Sequence, residues 1–130
     1  MKKILLIIIM LIFNISIFSF SLNNLEFNET IKKGEIKTKE YILGNNTNEI
    51  KKYLISIDST NLEIEPKTFV LPPEKEQKFY IKALGKGSDG TNDFYLTIIE
   101  KNFNRDSSNK NLLYLNKIVQ IKQKYFFKEK

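Results

Sequence analysis

The sequence predicts an all-β chain folded as a sandwich of seven short strands. Three observations carry that expectation. Apolar residues recur at every second position in one run after another, which gives a strand one buried and one wet face. The runs are short and are separated by turn clusters rich in Gly, Pro and Asn. No run gives a convincing helix once the leading apolar segment is set aside. Sheets that are apolar on one face must cover each other, and two such sheets make a sandwich.

Residues 1–21 read as an address rather than as part of the fold. Lys2 and Lys3 precede an apolar run from Ile4 to Phe13, which continues with interruptions at Asn14 and Ser16. Ser19 and Ser21 then stand where small residues flank a cut, so cleavage is expected after Ser21 and the mature domain is expected to cover 22–130. An uncleaved anchor is the other reading, since residues 4–20 lie at the short edge of what spans a bilayer. Both readings export the rest of the chain. Removing residues 1–21 takes away two lysines and no acid, leaving +4 of the formal +6.

The mature chain is then read in order. Leu25 and Phe27 alternate with Glu26 and Asn28, and Ile31 closes a first short strand before the turn at Lys32-Lys33-Gly34. Residues 36–43 give a second strand, with Tyr41 and Leu43 on one face and Ile36, Thr38 and Ile42 on the other, and the mixed parity marks neither as inward. The loop 44–48, Gly-Asn-Asn-Thr-Asn, ends it. In residues 51–58, Tyr53, Ile55 and Ile57 share a face and are expected in the core. Residues 62–81 form the organising unit: two short strands around Pro66, a Pro72-Pro73 bend that breaks the ladder, and a strand carrying Phe79, Ile81 and Ala83 inward.

A glycine-rich connection over 85–93 leads to Phe94, Leu96 and Ile98, which line one face. Tyr95, Thr97 and Ile99 line the other. Apolar residues on both faces suit a strand that is central or lies near a partner. A polar loop holding Arg105 follows, and residues 112–127 are expected as the last strand. A helix is the rival reading there, but the Ile, Val, Tyr and Phe content favours a strand.

Composition excludes much. With no Cys there is no disulfide and no thiolate, and with no His the commonest general base is missing. No two carboxylates are singled out as a pair, so an enzyme is not expected, nor a metal or a cofactor. Arg105 is the only arginine among 21 basic residues. Nucleic-acid readout favours Arg, so scattered Lys speaks against a nucleic-acid partner. The glycines of 85–90 are not followed by Lys-Ser or Lys-Thr, so they form no phosphate loop.

Four stretches together carry a family resemblance: Tyr41-Ile42-Leu43-Gly44-Asn45-Asn46; the run from Ile64 through Pro66, Phe69 and Leu71 to Pro73; Gln77-Lys78-Phe79-Tyr80-Ile81; and Lys122-Gln123-Lys124-Tyr125-Phe126-Phe127-Lys128. In order and spacing they resemble the N-terminal immunoglobulin-like domain of periplasmic pilus-assembly chaperones, in the PapD-like superfamily. The resemblance implies an immunoglobulin-like seven-stranded β-sandwich. It also implies a last strand that lends alternate apolar side chains to an incomplete subunit by strand addition. On that basis Leu115, Val119 and Ile121 are candidate donor residues, and Lys124 is a candidate clamp for a terminal carboxylate. The family's first-strand Arg has no counterpart ahead of Arg105. Lys32 or Lys33 would have to stand in, without the planar fork of a guanidinium.

Two functions follow as expectations. One is a non-enzymatic, chaperone-like or accessory factor that binds an exported protein subunit or peptide strand. The other is a structural surface or pilus-like subunit that forms a homo-oligomer.

Overall fold

A computed structural model of the chain describes residues 19–103 and 117–129. Nine strands are found in them: β1 (Phe20–Leu22), β2 (Thr30–Lys32), β3 (Lys37–Asn45), β4 (Lys51–Ile57), β5 (Leu62–Glu65), β6 (Thr68–Leu71), β7 (Glu76–Ala83), β8 (Gly90–Asn102) and β9 (Lys117–Lys128). They build a four-stranded sheet in the order β1-β3-β7-β5 and a five-stranded sheet in the order β2-β9-β8-β4-β6. Every neighbouring pair is antiparallel except β2 and β9, which run parallel. No described residue is helical.

The two sheets close on alternation, with the inward stripes expected for β4 and β7; for β3 and β8 the sequence names two faces without marking one as inward. Tyr41 and Leu43 of β3 and Phe79, Ile81 and Ala83 of β7 face inward from the four-stranded sheet. Tyr53 and Ile55 of β4 and Phe94, Leu96 and Ile98 of β8 face them from the other. Ile57, expected with Tyr53, is only partly buried, since it lies at the end of β4. Aromatic contacts order this interior. Tyr41 and Phe79 stack at 5.1 Å, and Phe27 meets both Phe94 and Tyr125 edge-on. Such pairs add about 0.5–1.5 kcal/mol each beyond the area they bury.

The organising unit behaves as the prolines require. β5 belongs to the four-stranded sheet and β6 to the five-stranded one, so the chain changes sheet at Pro66, whose preceding peptide is cis. Pro72 and Pro73 then return it to β7. Asn45 ties this corner together. Its Nδ2 donates to the carbonyls of Glu49 and Leu71, each at 2.9 Å, while its Oδ1 accepts from the Thr47 amide and hydroxyl.

The nine strands exceed the expected seven; the runs read one by one already number eight, and the ninth lies in the first segment. The strand expected over 25–31 is a strand only at Thr30–Lys32; Leu25 is exposed, and Phe27 is buried without belonging to a strand. β1 lies upstream, paired with the far end of β3, and three residues are too few for alternation to register. Ser21, after which cleavage is expected, sits in the middle of β1. The next difference is at β8, which begins at Gly90 and so takes up the end of the expected loop. Of the leading segment, residues 1–18 lie outside the described residues, as do 112–116 of the last strand.

Candidate functional site

The site expected from sequence is the last strand, and its surroundings decide what it can do. β9 pairs with β8 along eleven residues, from Lys117 opposite Glu100 to Phe127 opposite Gly90. Its other side is covered only at one end. β2 pairs with Thr30 against Phe126, Ile31 against Phe127 and Lys32 against Lys128. Two further bonds extend that cover: the Asn28 amide donates to the Lys124 carbonyl at 3.0 Å, and the Phe126 amide donates to the Glu29 carbonyl at 2.9 Å. Ahead of Lys124, no strand among the described residues flanks β9 on this side.

Backbone polarity along the open stretch follows from those bonds. Lys124, Phe126 and Lys128 turn their bonding groups toward β2. Peptide groups alternate sides along a strand, so Ile118, Gln120 and Lys122 aim theirs at the open edge, while Val119, Ile121 and Gln123 bond with β8. An edge with free donors and acceptors is a template for another strand.

Side chains follow the other alternation. Gln123, Tyr125 and Phe127 are buried, so their parity faces the core. Val119 and Ile121 share it, yet both are only half-buried, and Lys117 at the end is exposed. The core-facing stripe of β9 thus grades from sealed to open as β2 ends. Val119 and Ile121 offer apolar surface that a neighbouring strand would cover. Leu115, of the same parity, lies outside the described residues.

Lys124 stands on the opposite parity. Its side chain is exposed on the outer face of the sheet, with Nζ 6.0 Å from the centre of the Phe126 ring. It marks the point where β2 takes over the edge. The structure therefore brings Val119 and Ile121 onto one face and sets Lys124 on the other, at the end of the open run. Of the lysines considered as its partner, Lys32 is opposite Lys128 rather than Lys124, and Lys33 bonds through its amide to the Lys128 carbonyl.

One polar pair behind this edge was not legible in the sequence. The Tyr41 hydroxyl donates to Gln123 Oε1 at 2.8 Å, buried between the sheets. Gln123 Nε2 is buried with no partner among the described residues. Burial pushes the Tyr41 phenol well above its ordinary value, with the Glu29 carboxylate adding to the effect. A second pair joins the Tyr53 hydroxyl to Glu100 Oε2 at 2.9 Å, and burial together with that carboxylate drives the Tyr53 phenol up as well. The only available signal was Gln123 in a stripe of otherwise apolar inward positions.

Among the described residues no group of three His, Cys, Asp or Glu is placed to hold a metal. An open groove lies between β5 and the second half of β4, lined by Ile57, Leu62, Ile64, Pro66 and Tyr80 among others. Its charged residues include Glu63 and Lys82, which face each other across β5 and β7.

No family model matches the chain, and no curated protein matches it. Solved structures do. The chain superposes on the YadV chaperone with a TM-score of 0.63 at 16% identity, covering 84% of this chain and 52% of that one. It superposes on a PapD-like domain of human CEP192 with a TM-score of 0.63 at 13% identity, covering 86% and 87%. The SSP-19 protein of Caenorhabditis elegans, described as like the MSP-domain family, matches with a TM-score of 0.62 at 12% identity, covering 82% and 98%. The chain thus spans about half the length of the YadV chaperone and nearly the whole of the other two. The chain therefore has the immunoglobulin-like β-sandwich fold also seen in PapD-like chaperone domains.

Proposed function

We propose that the chain is a non-enzymatic, chaperone-like or accessory factor of the cell envelope, which binds an exported protein subunit by strand pairing along β9. The carrying observation is the open edge of β9 ahead of Lys124, backed by the half-buried Val119 and Ile121. Main-chain bonds to Ile118, Gln120 and Lys122 would supply affinity, and the apolar surface at Val119 and Ile121 would set the register. Leu115, outside the described residues, has the same parity in the sequence. Lys124 stands where an incoming strand would meet β2 and end, which suits a terminal carboxylate.

The likeness to pilus chaperones supports this reading. Two of the similar structures are complexes, CsuC with the tip adhesion subunit CsuE and the SafB chaperone with the SafA pilin of Salmonella enterica. The periplasm or envelope is the matching compartment, reached through residues 1–21.

The second reading is a structural subunit, and one observation favours it. An antiparallel pairing of two β9 edges about Gln120 would set Val119 of each copy against Ile121 of the other, covering both half-buried pairs. Size-exclusion chromatography of the purified protein separates the two readings. Capture from envelope extract, followed by mass analysis, tests the first. A captured exported subunit, lost from Val119→Lys and Ile121→Lys variants that still fold, supports it. Unchanged capture by both variants contradicts it.

A further inference from the structure

The register places every outward-facing residue of the five-stranded sheet, and their charge is one-sided. The outer face carries Lys32, Lys52, Lys101, Lys122, Lys124 and Lys128, with Asp93 as its single acid on paired strand residues. Asp93 is 3.9 Å from Lys122 and opposite Lys124. Lys52 and Lys101 are direct cross-strand partners on β4 and β8. Like charges so placed repel, and no ion pair relieves them among the described residues.

The outer face of the four-stranded sheet is different. Its lysines, Lys78 and Lys82, are matched: Lys78 is 3.6 Å from Glu40, and Lys82 faces Glu63. Glu65 and Glu76 add to the acidic side. The sandwich is therefore polar across its thickness, basic on one broad face and acidic on the other.

The basic face is also apolar. Ile118, Ile99 and Leu54 form one row across β9, β8 and β4, directly beside the Lys101–Lys52–Val70 row. Ile118 is 62% exposed. Tyr95 stands opposite Lys122, and Phe126 lies under the Lys124 ammonium; both rings are exposed. Lysines set among exposed aliphatic and aromatic side chains call for a partner that is anionic and accepts apolar groups at the same depth.

We propose that this face docks on an anionic bilayer surface. A lipid interface offers headgroup charge to the lysines, and it takes aromatic rings at headgroup level. An acidic protein is the rival. Protein interfaces, however, are depleted in Lys and enriched in Arg, which forks onto carboxylates. This face has Lys alone. Diffuse attraction between ammonium groups and a charged plane needs no fork. Lys124 is the one side chain this inference shares with strand pairing; otherwise it uses the outer face and leaves the β9 edge free.

The test reads each face separately, because the apolar residues 4–18 could bring the full chain to any bilayer. The chain has no Cys, so Thr97→Cys on the basic face and Thr38→Cys on the acidic face each accept one environment-sensitive fluorophore. The probes are vesicles of phosphatidylglycerol mixed with phosphatidylcholine, and of phosphatidylcholine alone. The expected result is a blue shift at Thr97 with the anionic vesicles only, none at Thr38, and loss of the shift at ~1 M salt, where the Debye length is about 3 Å. Adding Lys52→Glu with Lys101→Glu should weaken the response about tenfold or more. If that pair fails to fold, Lys122→Glu with Lys124→Glu serves instead. Equal shifts from both labels, an equal shift with neutral vesicles, or a Thr97 response to polyglutamate but not to anionic vesicles would each overturn the proposal.

Discussion

At the scale of single residues, stability rests on a few side chains whose surroundings leave no substitute. Asn45 joins the end of β3 to β6 through the Leu71 carbonyl and to the loop before β4 through the Glu49 carbonyl, and holds Thr47 with its other atom. Asn45→Ala would strand buried carbonyls, at about 3 kcal/mol. Urea unfolding should show a lower midpoint with an unchanged slope. Gly85 gives a sharper contrast. It has φ +70°, and a Cβ there would stand 2.6 Å from the Glu35 nitrogen and 2.7 Å from Gly34 Cα. Gly34, at φ +79°, has open space around it. Gly34→Ala should therefore cost only the backbone term, about 1–2 kcal/mol. Gly85→Ala should cost clearly more in the same urea experiment, because backbone must move.

Buried phenols add a pH dependence at this scale. Tyr41, Tyr53 and Tyr125 all have folded values raised by burial. A phenol is neutral when protonated, so the folded state holds its proton more tightly than the unfolded state. Stability is then fully present below the ordinary value near 10 and falls as pH rises above it. Tyr41 and Tyr53 each contribute a slope of up to about 1.4 kcal/mol per pH unit once the unfolded form ionises, and Tyr125 adds in the same direction. Denaturant midpoints measured upward from pH 9 should hold to about pH 10 and then drop. Tyr125→Phe should make that drop shallower.

At the scale of elements, the account turns on β9 being sealed at one end and open at the other. Val119→Lys and Ile121→Lys act on the half-buried part, so each should cost about 1 kcal/mol of stability, less than burying a full side chain is worth. Phe127→Lys would act on the sealed part and should unfold the domain. Thermal melts of the three variants, set beside their partner capture, separate an edge function from simple core packing.

The same element shows what the sequence could and could not say. The parity of Val119, Ile121 and Tyr125 was legible because a two-residue period is a local signal. That β2 stops short of Val119 was not legible, since it depends on where a distant segment pairs. Leu25 and Phe27 looked like one stripe, yet only Phe27 is buried, because the chain there crosses between sheets instead of running in one. Tyr41 with Gln123, and Lys52 beside Lys101, are long-range pairs that no local pattern reveals.

At the scale of the whole molecule, a single sandwich presents three different surfaces: an acidic face, a basic face with exposed apolar residues, and a strand edge between the sheets. The fold itself was readable from alternation and prolines, because covering two half-apolar sheets has few solutions. Likeness to the YadV chaperone, to a PapD-like domain of human CEP192 and to SSP-19 agrees on that architecture.

The most direct measurement is residue-resolved amide hydrogen exchange along β9, in the free protein and with a captured partner. Free, the amides of Ile118, Gln120 and Lys122 should exchange quickly while Val119, Ile121 and Gln123 are protected by β8; with partner bound, the first three should slow by orders of magnitude. Protection of all six in the free protein, or no change at Ile118, Gln120 and Lys122 on binding, would contradict an open pairing edge.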